Sequence, residues 1–246
     1  MLTLQRHEMI LRLLKEKGSI TTIEISDKLG ISESTARRDI NTLDREGKLS
    51  KVFGGAVEKE QSIIAYEYTF EQKNDLNIEE KQKIARYAAS LIEKDDFVYL
   101  DAGTTTAYMI DYIDNNGVTF VTNGITHAQK LASKGFKVFL IGGELKASTE
   151  AIIGNVAMEA LKNYHFTKGF FGTNGVSIKS GCTTPDTNEA LVKKMAISHC
   201  KTSYVLCDSS KFNKISPVTF ASFEGTGIIC DTKVPGYEQY KNITVI

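Results

Sequence analysis

Ser32-Glu33-Ser34-Thr35-Ala36-Arg37-Arg38-Asp39-Ile40-Asn41-Thr42-Leu43-Asp44-Arg45-Glu46-Gly47 carries the pattern of one capped, amphipathic helix. Ala36, Ile40 and Leu43 form a single apolar stripe, Ser32 stands where an N-cap belongs, and Gly47 where a helix ends. The opposite face collects Ser34, Arg38, Asn41 and Arg45, with Arg37 on the flank. A helix that enters the major groove needs long donors, and the arginine fork matches O6 and N7 of guanine. Ser34 and Thr35, near the start of the helix, suit phosphate.

Upstream, Ile10, Leu11, Leu13 and Leu14 predict a first helix from Thr3 to Lys17, closed by Gly18. Thr21 followed by Glu24 is a capping box for a two-turn second helix that buries Ile25 and Leu29 and ends at Gly30. Downstream, residues 48–57 read as a hairpin wing, with Lys48 and Lys51 available to the DNA backbone. A short second helix, a Gly-Ile-Ser turn, a basic third helix and a wing together predict a winged helix-turn-helix over residues 1–57.

The 246 residues leave room for a second, larger domain. Zero formal net charge excludes a chain coated in basic residues for indiscriminate nucleic-acid binding. Cys182, Cys200, Cys207 and Cys230 lack metal or redox spacing and read as buried reduced thiols. No signal-peptide pattern or membrane-length apolar run occurs, which predicts a cytoplasmic protein without a membrane partner. His127, His165 and His199 form no metal set and receive no role, and neither a phosphate-loop nor a Rossmann glycine motif is present.

Residues 58–74, with the polar run Glu58 to Ser62, are taken as a linker, and 75–246 as the second domain. Asn77 and Glu80 suggest a capping box for a helix repeating Ile84, Ala88, Leu91 and Ile92. Six apolar runs alternate with helical segments from there: 97–100, 119–122, 137–141, 168–172, 202–208 and 227–230. The alternation predicts an α/β domain with a mostly parallel sheet, so the whole is a two-domain α+β chain.

In such sheets ligands bind beyond the carboxyl ends of strands. Five polar turns stand there: Asp101, Gly103, Thr104, Thr105 and Thr106; Asn123 and Gly124; Gly143, Glu144 and Lys146; Thr173 and Asn174, followed by Asp186 and Glu189; and Asp208 with Lys211. Converging on one crevice, they would offer hydroxyls and amides to phosphate and carboxylates to sugar hydroxyls.

The run Arg6-His7 with Ile10 and Leu13-Leu14, the stretch Ser34 to Leu43, and Phe53-Gly54-Gly55-Ala56 resemble the DeoR family of bacterial sugar-metabolism regulators. Asp101 to Thr105, Thr122-Asn123-Gly124, Ile141-Gly142-Gly143 and Asp208 to Phe212 resemble its effector domain, similar in fold to ribose-5-phosphate isomerase. The resemblance implies that Ser34, Thr35, Arg37 and Arg38 read DNA, and that Gly103 to Thr106 hold a phosphate with Lys211 nearby. Gly172-Thr173-Asn174-Gly175 stands where the isomerase has an acidic turn, which implies binding without turnover.

The expected protein is a repressor of a sugar-utilisation operon, relieved by a phosphorylated sugar and needing no cofactor or metal. Fructose-1-phosphate leads, with tagatose and other hexose phosphates behind. Two-fold operator half-sites predict a homodimer or homotetramer on double-stranded DNA. An isomerase-like enzyme carrying a DNA-binding arm, or an activator, remain the alternatives.

Overall fold

The Ile10 to Leu14 spacing becomes helix α1 (Thr3–Lys17) in the computed structural model, which describes residues 2–57, 64–114 and 117–246. Gly18 ends α1 at φ 74°, donating its N–H to the carbonyl of Leu14. Strand β1 (Ser19–Thr21) follows, then α2 (Thr22–Leu29), opened by the reciprocal Thr21/Glu24 box and closed by Gly30 at φ 61°. Ser32 caps α3 (Glu33–Arg45) through the N–H of Thr35. The wing is the antiparallel pair β2 (Ser50–Val52) and β3 (Gly55–Val57), and β1 joins it in the order β1-β3-β2. Ile10, Leu14, Ile20, Ile25, Ala36, Ile40, Leu43, Leu49 and Ala56 close over one core.

The chain divides into two compact units, Met1–Gln61 and Ser62–Ile246. The larger runs α4 (Phe70–Asn74), α5 (Ile78–Ser90), β4 (Phe97–Leu100), α6 (Thr104–Met109), β5 (Thr119–Thr122), α7 (Ile125–Ser133), β6 (Lys137–Leu140), β7 (Glu144–Lys146), β8 (Ala151–Ile153) and α8 (Asn155–Leu161). It continues with β9 (Phe166–Gly172), β10 (Gly175–Ser177), β11 (Gly181–Thr184), α9 (Thr187–Ser198), β12 (Cys200–Leu206), β13 (Val218–Ala221), β14 (Gly227–Cys230) and β15 (Ile243–Val245). The main sheet has the order β15-β14-β12-β9-β4-β5-β6, every neighbouring pair parallel. Successive side chains leave by opposite faces: Tyr99 and Phe171 enter one core, Val98, Leu100 and Phe170 the other.

Strand order places a crevice at the carboxyl ends of the main sheet's strands. From β4 the chain builds outward through β5 and β6, then returns to lay β9 and β12 on the other side of β4. The reversal between β4 and β9 is a topological switch point, where adjacent connections leave in opposite directions and open a cleft.

Three expectations need correction. Residues 58–63 of the expected linker lie outside the described residues, while 64–74 is no free tether: the N–H of Ile64 donates to the carbonyl of Ile215 at 2.8 Å and that of Phe70 to Ser148 at 2.8 Å. Asn77 forms no capping box. It precedes α5 at φ 51°, and its Nδ2 donates to Asp208 Oδ1 at 3.0 Å and Ser210 Oγ at 3.3 Å instead. The main sheet also gains β15, and β9 and β12 each begin two residues early. All four cysteines are free thiols; Cys200 is half-buried and the others are buried.

Candidate functional sites

In the smaller unit α3 is fixed from beneath by an ion pair the helical wheel did not reveal. Asp39 is buried and accepts from Arg6 Nε at 2.8 Å and Nη2 at 3.0 Å, with His7 Nε2 at 3.2 Å. Burial opposes the charge on Asp39, but hydrogen bonds and attraction from Arg6 and His7 outweigh it and hold the carboxyl below its usual range. Arg6 and His7 entered the sequence reading only through family resemblance, and their α1 spacing alone does not show that they clamp α3.

The outer face of α3 presents Ser34, Arg37, Arg38, Asn41 and Arg45, all exposed. Arg37 is tied to Glu33, one turn back, at 3.0 Å. The side chains of Arg38 and Asn41 have no hydrogen bond or ion pair to the described residues. Ser34 and Thr35 hydroxyls share the cap network of Ser32, at 2.8 and 2.9 Å. Lys48 pairs with Glu46 at 2.8 Å, and the N–H of Lys51 is anchored by Asp44 at 3.0 Å while its ammonium stays exposed. Phe53 stands wholly exposed at the tip of the wing.

In the larger unit a cavity of about 230 Å³ opens at the carboxyl ends of β4, β9 and β12. Of the expected ligand residues, Gly103, Thr104, Thr105, Thr173, Asn174, Glu189, Asp208 and Lys211 line it. The turns after β5 and β6 do not, because those strands lie on the far side of β4 from β9, so the expected convergence of five turns reduces to three. Asn123 works from behind, accepting from the N–H of Ala102 at 2.8 Å and donating to the carbonyl of Ile152 at 3.3 Å. Gly124 begins α7, donating its N–H to Thr122 Oγ1 at 3.0 Å. Gly143 and Glu144 lie exposed at the β7–β8 ribbon.

Asp101, Thr106, Lys146 and Asp186 also stand behind the wall. Thr106 Oγ1 donates to the carbonyl of Asp101 at 2.6 Å and meets His127 Nε2 at 3.0 Å, bracing the Gly103 turn. Burial pushes His127 down to about 4, so it is neutral at physiological pH. Lys146 binds Glu67 at 2.5 Å, Asp186 at 3.1 Å and Glu189 at 3.2 Å. Asp186 also caps α9 through the N–H of Glu189 at 2.9 Å. Asp101 accepts from the N–H of Gly172 at 3.0 Å and pairs with Lys193; burial raises its pKa against that attraction, and its Oδ1 has no partner among the described residues.

Sequence reasoning missed most of the cations. Lys73, Lys81, Lys193 and Lys214 line the cavity with Lys211, five lysines against the carboxylates of Glu189 and Asp208. Lys81 and Lys193 are buried. Lys81 donates to the main-chain carbonyl of Lys73, and burial, with Lys211 and Lys73 nearby, pushes its pKa down to about 8 against the pull of Asp208 and Asp75. Burial likewise lowers Lys73, and Lys193 adds to it, although Glu67 and Glu189 oppose the shift. Glu189 is ionised below its usual range: burial opposes its charge, but Lys193, a hydrogen bond from Thr149 and the charges of Lys146 and Lys73 prevail. Desolvated ammonium groups gathered around a polar turn are placed to bind an anion.

Residues 6–62 match the family model of a DeoR-like helix-turn-helix domain, and residues 76–232 that of the DeoR C terminal sensor domain. The chain is 42% identical, across 100% of its length and 98% of the relative, to a Bacillus subtilis protein named as an uncharacterized HTH-type transcriptional regulator FruR. It is 37% identical to the lactose phosphotransferase system repressor of Staphylococcus epidermidis, covering 85% of this chain and 84% of that one. Among solved structures, ribose 5-phosphate isomerase A of Methanocaldococcus jannaschii aligns over 55% of each chain at 17% identity and a TM-score of 0.42.

Proposed function

The chain belongs to the DeoR family, and from that membership we propose that it represses a sugar-utilisation operon, releasing double-stranded operator DNA when its larger unit binds a phosphorylated sugar. The observation that carries this reading is the lysine-rich cavity at the switch point. Its volume falls below the roughly 300–1,000 Å³ of pockets for drug-sized ligands, which suits a small metabolite.

In this reading the amides and hydroxyls of Gly103, Thr104 and Thr105, with Lys81 and Lys211, take the phosphate. Thr173, Asn174, Glu189 and Asp208 take the sugar hydroxyls. The ligand is a hexose phosphate such as fructose 1-phosphate, in keeping with relatives named for sugar systems. Arg38 and Asn41 read bases, while Arg37, Arg45, Lys48 and Lys51 grip phosphates. The repressor acts in the cytoplasm as a homodimer or homotetramer on paired half-sites.

The site binds without turning its ligand over. The turn after β9 presents Thr173 and Asn174 to the cavity, amide and hydroxyl groups in place of a carboxylate that could serve there as a base. Mobility shift of the protein on its own promoter DNA, across a panel of hexose and pentose phosphates, tests the reading. One sugar phosphate should release the DNA while its unphosphorylated sugar does not. Complexes that persist against the whole panel would reject the effector assignment.

A further inference from the structure

One wall of the cavity comes from neither family-matched region. Tyr68, Phe70 and Lys73 line it, yet they lie between residues 62 and 76, where the two matches stop and start. In sequence this segment is the connector that leads from the winged domain into the larger one. The main-chain hydrogen bonds of Ile64 to Ile215 and of Phe70 to Ser148 hold it there, and side chains around the cavity add to them. Glu67 bridges Lys73 at 3.5 Å and Lys146 at 2.5 Å, and Lys146 continues to Glu189 at 3.2 Å. Phe70 meets His127 edge-on at 6.4 Å, and His127 contacts the carbonyl of Gly103 at 3.0 Å. Tyr68, whose ring meets that of Tyr66 edge-on at 5.0 Å, is nearly half exposed although it borders the cavity.

We propose that this connector is part of the effector site, with Lys73 binding the anionic end of the ligand and Tyr68 packing against its carbon skeleton, so that the ligand touches the very segment leading to the DNA-binding domain. The proposal rests on the sugar-phosphate reading above. Lys73 is suited to the task because it lines the cavity at the long distance of 3.5 Å from Glu67, which is shared with Lys146, and because burial and Lys193 together outweigh the attraction of Glu67 and Glu189. An entering phosphate supplies a further counter-charge and competes with Glu67 for Lys73, which couples occupancy to the hold on the connector.

The test uses the full chain. Calorimetric titration with fructose 1-phosphate, tagatose 6-phosphate and inorganic phosphate is run on the wild type, Lys73→Met, Tyr68→Ala and a control, Lys162→Met, whose lysine pairs with Glu159 on the exposed surface. Lys73→Met should weaken binding of the phosphorylated ligand about tenfold or more, Tyr68→Ala about threefold or more, and the control not at all. Hydrogen exchange on the wild type supplies a readout independent of any variant: ligand should slow exchange of amides 66–74 together with 103–106. Equal affinity of wild type, Lys73→Met and Tyr68→Ala, or protection at 103–106 without protection at 66–74, overturns the connector's role and leaves the effector reading intact. A wild type that binds none of the three probes overturns both.

Discussion

At the scale of single residues, burial and pairing separate side chains that look alike in sequence. Arg37 and Arg38 are adjacent and both exposed, but Arg37 is already paired with Glu33, whereas the Arg38 side chain has no hydrogen bond or ion pair among the described residues. Arg38→Ala should therefore cost about 1–3 kcal/mol of operator affinity and relax base preference at one position, measured by anisotropy on operator variants. Arg37→Ala should weaken binding evenly across sequences, and a reversed pattern would exchange their roles. Lys81 supplies a pH signature. Its pKa of about 8 lies below the ordinary 10.5, so between those values the unfolded chain holds a proton the folded one lacks, and stability contributed by this group rises with pH across that window. A bound phosphate favours the charged form again. Ligand binding near pH 8 should take up protons, visible as buffer-dependent calorimetric heats, and affinity should fall above pH 8; Lys81→Met should remove the uptake. Lysines 73, 81 and 193 were invisible to pattern reading because a lysine on an amphipathic helix is usually solvated. The available signal was spacing: Lys193 stands four residues beyond Glu189, which puts the two on one face of α9.

At the scale of elements, the sequence is most legible where periodicity is long. The three helices of the winged domain appear with their caps, and the central strands of the sheet appear within two residues of their ends. Strands of three residues, such as β1, β7 and β15, are too short to show a period and depend on partners distant in sequence. The site followed the same division. Turns after β4, β9 and β12 meet, whereas those after β5 and β6 do not, and only strand order, which no local pattern encodes, decides between them. The wing offers a test of one close approach. A Cβ on Gly55 would stand 2.2 Å from the carbonyl oxygen of Ile20, so β3 requires glycine there to pair with β1. Gly55→Ala should destabilise the small domain by about 1–3 kcal/mol. Hydrogen exchange should quicken in α1, α2 and α3 while β4 and β9 keep their protection; unchanged exchange in the helices would show that the strands part without cost.

At the scale of the molecule, a helix-turn-helix domain and a cationic cavity reside in different units of one chain, and repression relieved by a metabolite requires that they exchange free energy. A ligand shifts DNA affinity only as far as its own affinity differs between the free and DNA-bound protein. A coupling of about 1–3 kcal/mol, or roughly 5–150-fold, is enough for induction and must be reciprocal. The decisive measurement is the dissociation constant of the inducing sugar phosphate for the full-length protein, determined by calorimetry with and without saturating operator DNA. The account predicts that operator weakens sugar-phosphate binding by the same factor, within the 5–150-fold range, by which the sugar phosphate weakens operator binding. Identical dissociation constants in the two titrations would contradict it.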